Sequence, residues 1–260
     1  MDEPRLPVGE RAESEPSGTD IPEIPEGELH EGPRKWWTRQ NVLLVVFFAL
    51  IALSVAGFYI QRGIVQGYEH RGDRYLDQKD YDRALKYFLK AAHHDPQNPR
   101  VVFSVGKAML ALGRDHEALQ AFRSSFRLGG ANAELYLYMG FAENRIGRPT
   151  QAELFFTHAL KIDKKLFAAH RELGMLRLKE SDLAGAESHL LQAQKGYSVE
   201  KDPELYEVLA ETRVRLGLNA GAAVTLDAIL KTSPNNEKAR RAREKVRRAL
   251  EMERLYRRIR

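Results

Sequence analysis

The sequence predicts an all-α fold: a solenoid of five helical hairpins, followed by a capping helix and preceded by one transmembrane helix and a disordered N-terminal tail. Three observations carry this. Gly72, Gly106, Gly140 and Gly174 recur every 34 residues, each followed twelve residues on by Ala84, Ala118, Ala152 or Ala186 and four further by Phe88, Phe122, Phe156 or Leu190. A fifth copy comes after two extra residues, with Ala210 in the glycine slot and Ala222 and Leu226 behind it. Ahead of the repeats stand nineteen uncharged, mostly apolar residues, Val42 to Ile60.

Residues 1–34 open the chain. Met1 to Gly32 carries ten acidic and two basic residues, and six of the eleven prolines fall by Pro33. A segment of this composition cannot bury enough surface to offset its ordering entropy, so disorder is expected. Ile21–Glu26 reads either as a solvating stretch or as a short docking motif.

The apolar run over residues 42–60 spans roughly 28 Å as a helix, close to the hydrocarbon thickness of a bilayer. Trp36 and Trp37 on one side and Tyr59 on the other sit where interfacial aromatics belong. A cleaved signal peptide with Ser54-Val55-Ala56 as its cleavage site is the competing reading, and the run continues past that site. Arg34, Lys35 and Arg39 precede the span and Arg62 follows it, which predicts a cytoplasmic N-terminus and translocated repeats. Gln61–Ile64 then reads as a short linker, with Gly63 and Gly67 as hinges.

The repeats divide into 65–98, 99–132, 133–166, 167–200 and 203–236. In the first, Tyr68, Gly72, Tyr75, Ala84, Phe88, Ala91 and Pro96 fill the pattern. Glycine and alanine belong where two antiparallel helices cross closely, and the aromatics fill the space beside them. Gly113, Gly147 and Gly217 fall between paired helices, where a left-handed residue ends the first without a Cβ penalty. The proline that closes repeats one and five, Pro96 and Pro234, is replaced by Gly130 and Lys164, and Tyr197–Asp202 is expected to distort the stack.

A 34-residue period with these residues resembles the tetratricopeptide repeat (TPR) family. The resemblance implies a concave groove, lined by the first helix of each hairpin, that binds extended or helical peptides. Helical register assigns Phe103, Leu110, Leu137, Phe141, Met175 and Leu178 to that face, with Arg100, Lys107, Arg145, Arg171 and Lys179 beside them. Glu69, Asp73, Glu204, Glu207 and Glu211 fall at its ends. The middle is therefore expected to be apolar and basic and the ends acidic; alternatively, the apolar residues pack between repeats. Some TPR co-chaperones clamp a C-terminal carboxylate with lysine, asparagine and arginine. Here the slots read Glu69, Asp73, Ser104, Glu134 and Tyr138, which would repel it.

Residues 237–260 carry eleven basic and four acidic residues, with Ala239, Ala242, Val246, Ala249, Tyr256 and Ile259 mainly at three- and four-residue steps. That predicts a basic amphipathic helix. It would cap the stack, or contact anionic lipid or nucleic acid.

Nothing in the sequence points to chemistry. The eight histidines are scattered, no H-E-x-x-H or G-x-S-x-G pattern occurs, and cysteine is absent. The expectation is a protein that is not an enzyme and has no cofactor and no metal. A net charge of +5 does not by itself point to a polyanionic partner, and no nucleic acid is expected. The expected role is a single-pass membrane-anchored scaffold whose groove holds partner protein segments, assisting secretion or envelope assembly from the periplasmic face of a bacterial inner membrane. A cytosol-facing receptor or co-chaperone is the alternative, as is lipid or nucleic-acid contact through the C-terminal helix.

Overall fold

The structure is a computed structural model that describes residues 39–259. The acidic tail expected over residues 1–34 and its tryptophan flank lie outside the described residues. Eleven α-helices make up the described residues, in two compact units that reach to Val55 and run from Ala56 onwards.

In the first unit the described residues belong to α1 (Arg39–Asp77). Its side chains from Val42 to Ile60 are all exposed, and the helix is long and apolar enough to cross a membrane. Gln61–Ile64, expected as a linker, are helical, because neither proline nor a capping side chain interrupts the hydrogen-bond ladder there.

The second unit is the repeat array. The C-terminal part of α1 pairs with α2 (Tyr81–His94), and α3 (Pro99–Ala111) pairs with α4 (Asp115–Arg127). The next three hairpins are α5 (Ala133–Arg145) with α6 (Pro149–Ile162), α7 (Phe167–Lys179) with α8 (Leu183–Gln194), and α9 (Pro203–Arg215) with α10 (Asn219–Thr232). The last helix is α11 (Glu237–Ile259).

Each glycine slot meets the large apolar residue sixteen positions on. A Cβ on Gly106 would stand 2.5 Å from Cε1 of Phe122, and one on Gly174 would stand 2.7 Å from Cγ of Leu190. Phe88, Phe122, Phe156 and Leu190 are fully buried as a result. Removing one of the phenylalanine rings would cost about 3–5 kcal/mol.

The turn between paired helices is left-handed in every repeat. Gly113, Gly147 and Gly217 have φ of +79°, +89° and +75°, as expected, and Lys79 and Ser181 occupy the same slot at +59° and +64°. Caps set the other ends. Asn98, Asn132, Asp202 and Asn236 accept from backbone N–H groups at the starts of α3, α5, α9 and α11. Asp80 and Asp182 cap α2 and α8, while Arg114, Arg148 and Leu218 in the same slot supply no side-chain cap.

The repeat register continues into the last helix. Asn236 lies 34 residues after Asp202 and caps α11 as Asp202 caps α9. Ala239 and Val246 are buried against the α9–α10 hairpin, with Ala242 and Leu250 packed beside them. In the repeat register, α11 thus takes the place of a first helix. The segment from Tyr197 to Asp202, expected to distort the stack, joins α8 to α9, and there the Tyr206 hydroxyl donates to the Tyr197 carbonyl at 2.9 Å.

Candidate protein-binding groove

First helices of successive repeats stand side by side, and the ion pairs between them show how. Glu69 meets Arg100 at 3.4 Å, Arg171 meets Glu204 at 2.6 Å and Glu207 meets Lys238 at 3.4 Å. In all three, the residue three before one repeat's glycine slot faces the residue six before the next repeat's. Arg171 is further held by Asp202 at 2.8 Å and Glu172 at 2.8 Å.

Two adjoining clefts of about 470 and 430 Å³ open along this face, lined by α1, α3 and α5 and sharing Asp73 and Lys107. Arg100 and Phe103 line the first, and Leu110 and Arg145 the second. At their centre Lys107 Nζ lies 5.2 Å from the Phe103 ring centroid, 6.0 Å from that of Tyr138 and 3.9 Å from Glu134. Burial, and then the Glu134 carboxylate, push the Tyr138 phenol above its ordinary value, so it remains a neutral donor.

The structure distributes the eleven expected groove residues unevenly. Phe103, Leu110 and Leu137 are buried; Phe103 and Leu110 still line the clefts, and Leu137 is not among the residues lining them. Phe141 packs edge-on against Phe156 at 5.7 Å, and Leu178 packs on the cluster shared by α8 to α11. Met175 is half-buried. Arg145 is a structural cation: it meets Asp115 at 3.1 Å and donates to the Leu110 carbonyl at 2.8 Å. Lys179 is exposed, with no ion pair among the described residues.

The basic middle and acidic ends meet at two points, where Glu69 pairs with Arg100 and Glu204 with Arg171. One further concavity has no counterpart in the sequence reading. A cleft of about 630 Å³ lies between α9 and α11, floored by Ala210, Val214, Ala239 and Ala242 and rimmed by Glu211 and Lys245. Its sequence signal is the spacing of Ala210 and Val214 on α9, four residues apart, and of Ala239 and Ala242 on α11, three apart.

Residues 71–133 match the tetratricopeptide repeat family. The chain superposes on PilW, a type IV pilus biogenesis factor, with a TM-score of 0.58 at 20% identity, over 72% of this chain and 86% of that one. Residues 71–133 thus carry tetratricopeptide repeats, and the array has the fold of tetratricopeptide repeat proteins. A chain of the APC/C hetero-tetramer Cut9-Hcn1 matches the TPR array equally well, with a TM-score of 0.58 and 19% identity over 73% of this chain and 38% of that one. In sequence, the array is 28% identical over 134 residues to a Hsp70-Hsp90 organising protein of Plasmodium falciparum, covering 52% of each chain. It is 30% identical over 105 residues to human DnaJ homolog subfamily C member 7, covering 40% of this chain and 21% of that protein. The chain thus spans about half the length of the first relative and about a fifth of the second.

Proposed function

We propose that this protein is a non-catalytic scaffold, anchored in a membrane by residues 42–60, whose TPR groove holds a segment of a partner protein. The carrying observation is the pair of clefts that meet at Lys107, where a cation, two aromatic rings and the carboxylates of Asp73 and Glu134 surround space open to solvent. The Phe103 and Tyr138 rings offer apolar contact, and the paired charges can exchange partners with an incoming peptide at small cost. The exposed, mostly apolar run of nineteen residues from Val42 to Ile60 in α1 supports the anchor, since water does not tolerate a patch of that size. The basic residues before the span favour an array on the translocated side, at the periplasmic face of a bacterial inner membrane. The likeness to a pilus biogenesis factor agrees with a role in envelope assembly.

The two chaperone-associated relatives favour a second reading, a cytosol-facing co-chaperone. Against it, Asp73, Ser104 and Glu134 occupy the slots that a carboxylate clamp would need.

Neutralising two cations tests the groove. Full-length chain with Lys107→Gln and Lys179→Gln should melt close to the parent, because the Lys107–Glu134 pair is long at 3.9 Å and Lys179 is exposed. It should recover markedly less of the parent's crosslinked partners from source membranes. Unchanged recovery of every partner by the folded variant would refute the groove.

A further inference from the structure

In each hairpin the chain turns seven residues after the glycine slot, at Lys79, Gly113, Gly147, Ser181 or Gly217. Carried forward 34 residues from Gly217, the slot falls at Glu251 of α11, where no turn occurs. The helix runs on to Ile259. This extension has its own apolar stripe. Met252, Leu255, Tyr256 and Ile259 are 51%, 51%, 68% and 81% exposed. At 100° per residue the stripe is turned by about 130° from the face that Ala239, Ala242, Val246 and Leu250 set against the hairpin before it. It is therefore not a continuation of the cap's packing face.

Charge separates the two halves of α11 as well. Glu237 pairs with Arg241, Glu244 with Arg247 and Arg248, and Glu251 with Arg247, while the Glu253 carboxylate accepts from Asn219. Arg254, Arg257 and Arg258 have no ion pair among the described residues and lie on the side away from the stripe. An exposed apolar stripe with an interfacial tyrosine and an arginine-rich opposite face matches the surface of an anionic bilayer, where arginine stems reach back to the headgroups.

We propose that residues 252–259 form a membrane-contact element that lies on anionic lipid. Two turns with four apolar side chains bind weakly alone, so the contact acts on a chain already held at a membrane, and it rests on the anchoring reading for its strength.

Because the chain lacks cysteine, Ile259→Cys can carry a single environment-sensitive fluorophore on the full-length protein. The chain is reconstituted in vesicles of phosphatidylcholine alone or with about a quarter phosphatidylglycerol, with nitroxide-labelled headgroups as quenchers. Co-flotation with both vesicles reports the anchor, and quenching reports the stripe. Quenching should be several-fold stronger in the anionic vesicles. It should fall to the neutral level in high salt or with Arg254→Gln, Arg257→Gln and Arg258→Gln, and Leu255→Ser should weaken it with no change in melting temperature. Equal quenching in both vesicles by a chain that co-floats would overturn the proposal and leave the anchor standing. A blue shift that grows with protein-to-lipid ratio and is not quenched would assign the stripe to a second copy, and would also overturn it.

Discussion

The ring of Phe156 occupies the place where a side chain on Gly140 would begin, with its Cδ1 2.6 Å from the position of an added Cβ. The same relation joins Gly72 to Phe88 and Gly106 to Phe122, so the glycine period and the phenylalanine period are one packing device. Gly140→Leu should therefore destabilise the array by about 1–3 kcal/mol, whereas the exposed Gln151→Ala should be nearly neutral. Thermal melts of the full-length chain in detergent compare them, and equal midpoints would mean that the crossing is not close.

Lys79 and Ser181 hold a conformation that costs a side chain about 1–2 kcal/mol and a glycine almost nothing. Ser181→Gly should raise stability by about 0.5–1 kcal/mol after the added freedom of the unfolded chain is deducted. Gly147→Ala should lower it by a similar amount. Denaturant midpoints with unchanged slopes would verify both.

These positions also show what could be read from sequence. The 34-residue spacing exposed the crossings because glycine and phenylalanine leave little else to fill their slots. Three of the five turns were legible because they carry glycine; Lys79 and Ser181 were hidden because the fold, not the residue, imposes their φ. Groove assignment was harder. Phe103 and Leu137 sit at the same helical steps as open-face residues, and periodicity does not separate a face covered by the next repeat from one left uncovered. Ion pairs such as Arg171–Glu204 join residues a whole repeat apart, so the charge pattern becomes readable only once the first helices are placed side by side.

His170 and His189 join α7 to α8 through their Nδ1 atoms, 3.1 Å apart, and His170 Nε2 lies 3.3 Å from the Lys164 carbonyl. That carbonyl needs a donor, so His170 carries its proton on Nε2 and accepts from Nδ1–H of His189. Burial first, then the charges of His170 and Arg177, lower the His189 pKa. A depressed histidine favours the neutral fold. Its contribution is complete above the ordinary value of about 6.5 and is lost as pH falls through the lower folded-state value. Melting midpoints should fall on that acid limb, and His189→Gln should flatten it; a limb of unchanged depth would contradict the assignment.

Topology has a clean reporter in a chain without cysteine. Ser188 is exposed on α8, and Ser17 lies in the acidic tail. An impermeant thiol reagent applied to cells whose outer barrier is opened should label Ser188→Cys and spare Ser17→Cys. The reverse pattern would place the array in the cytosol and favour the co-chaperone reading.

The groove itself is tested most directly by photocrosslinking from inside and outside it. A photoreactive phenylalanine analogue replaces Asp73, shared by both central clefts, Val214, in the floor of the α9–α11 cleft, or Gln120, exposed on α4 and outside all three. In intact membranes, adducts should form at Asp73 or Val214 and be absent at Gln120. Adducts of equal yield at Gln120, or at Gln120 alone, would contradict a partner segment held along the first helices.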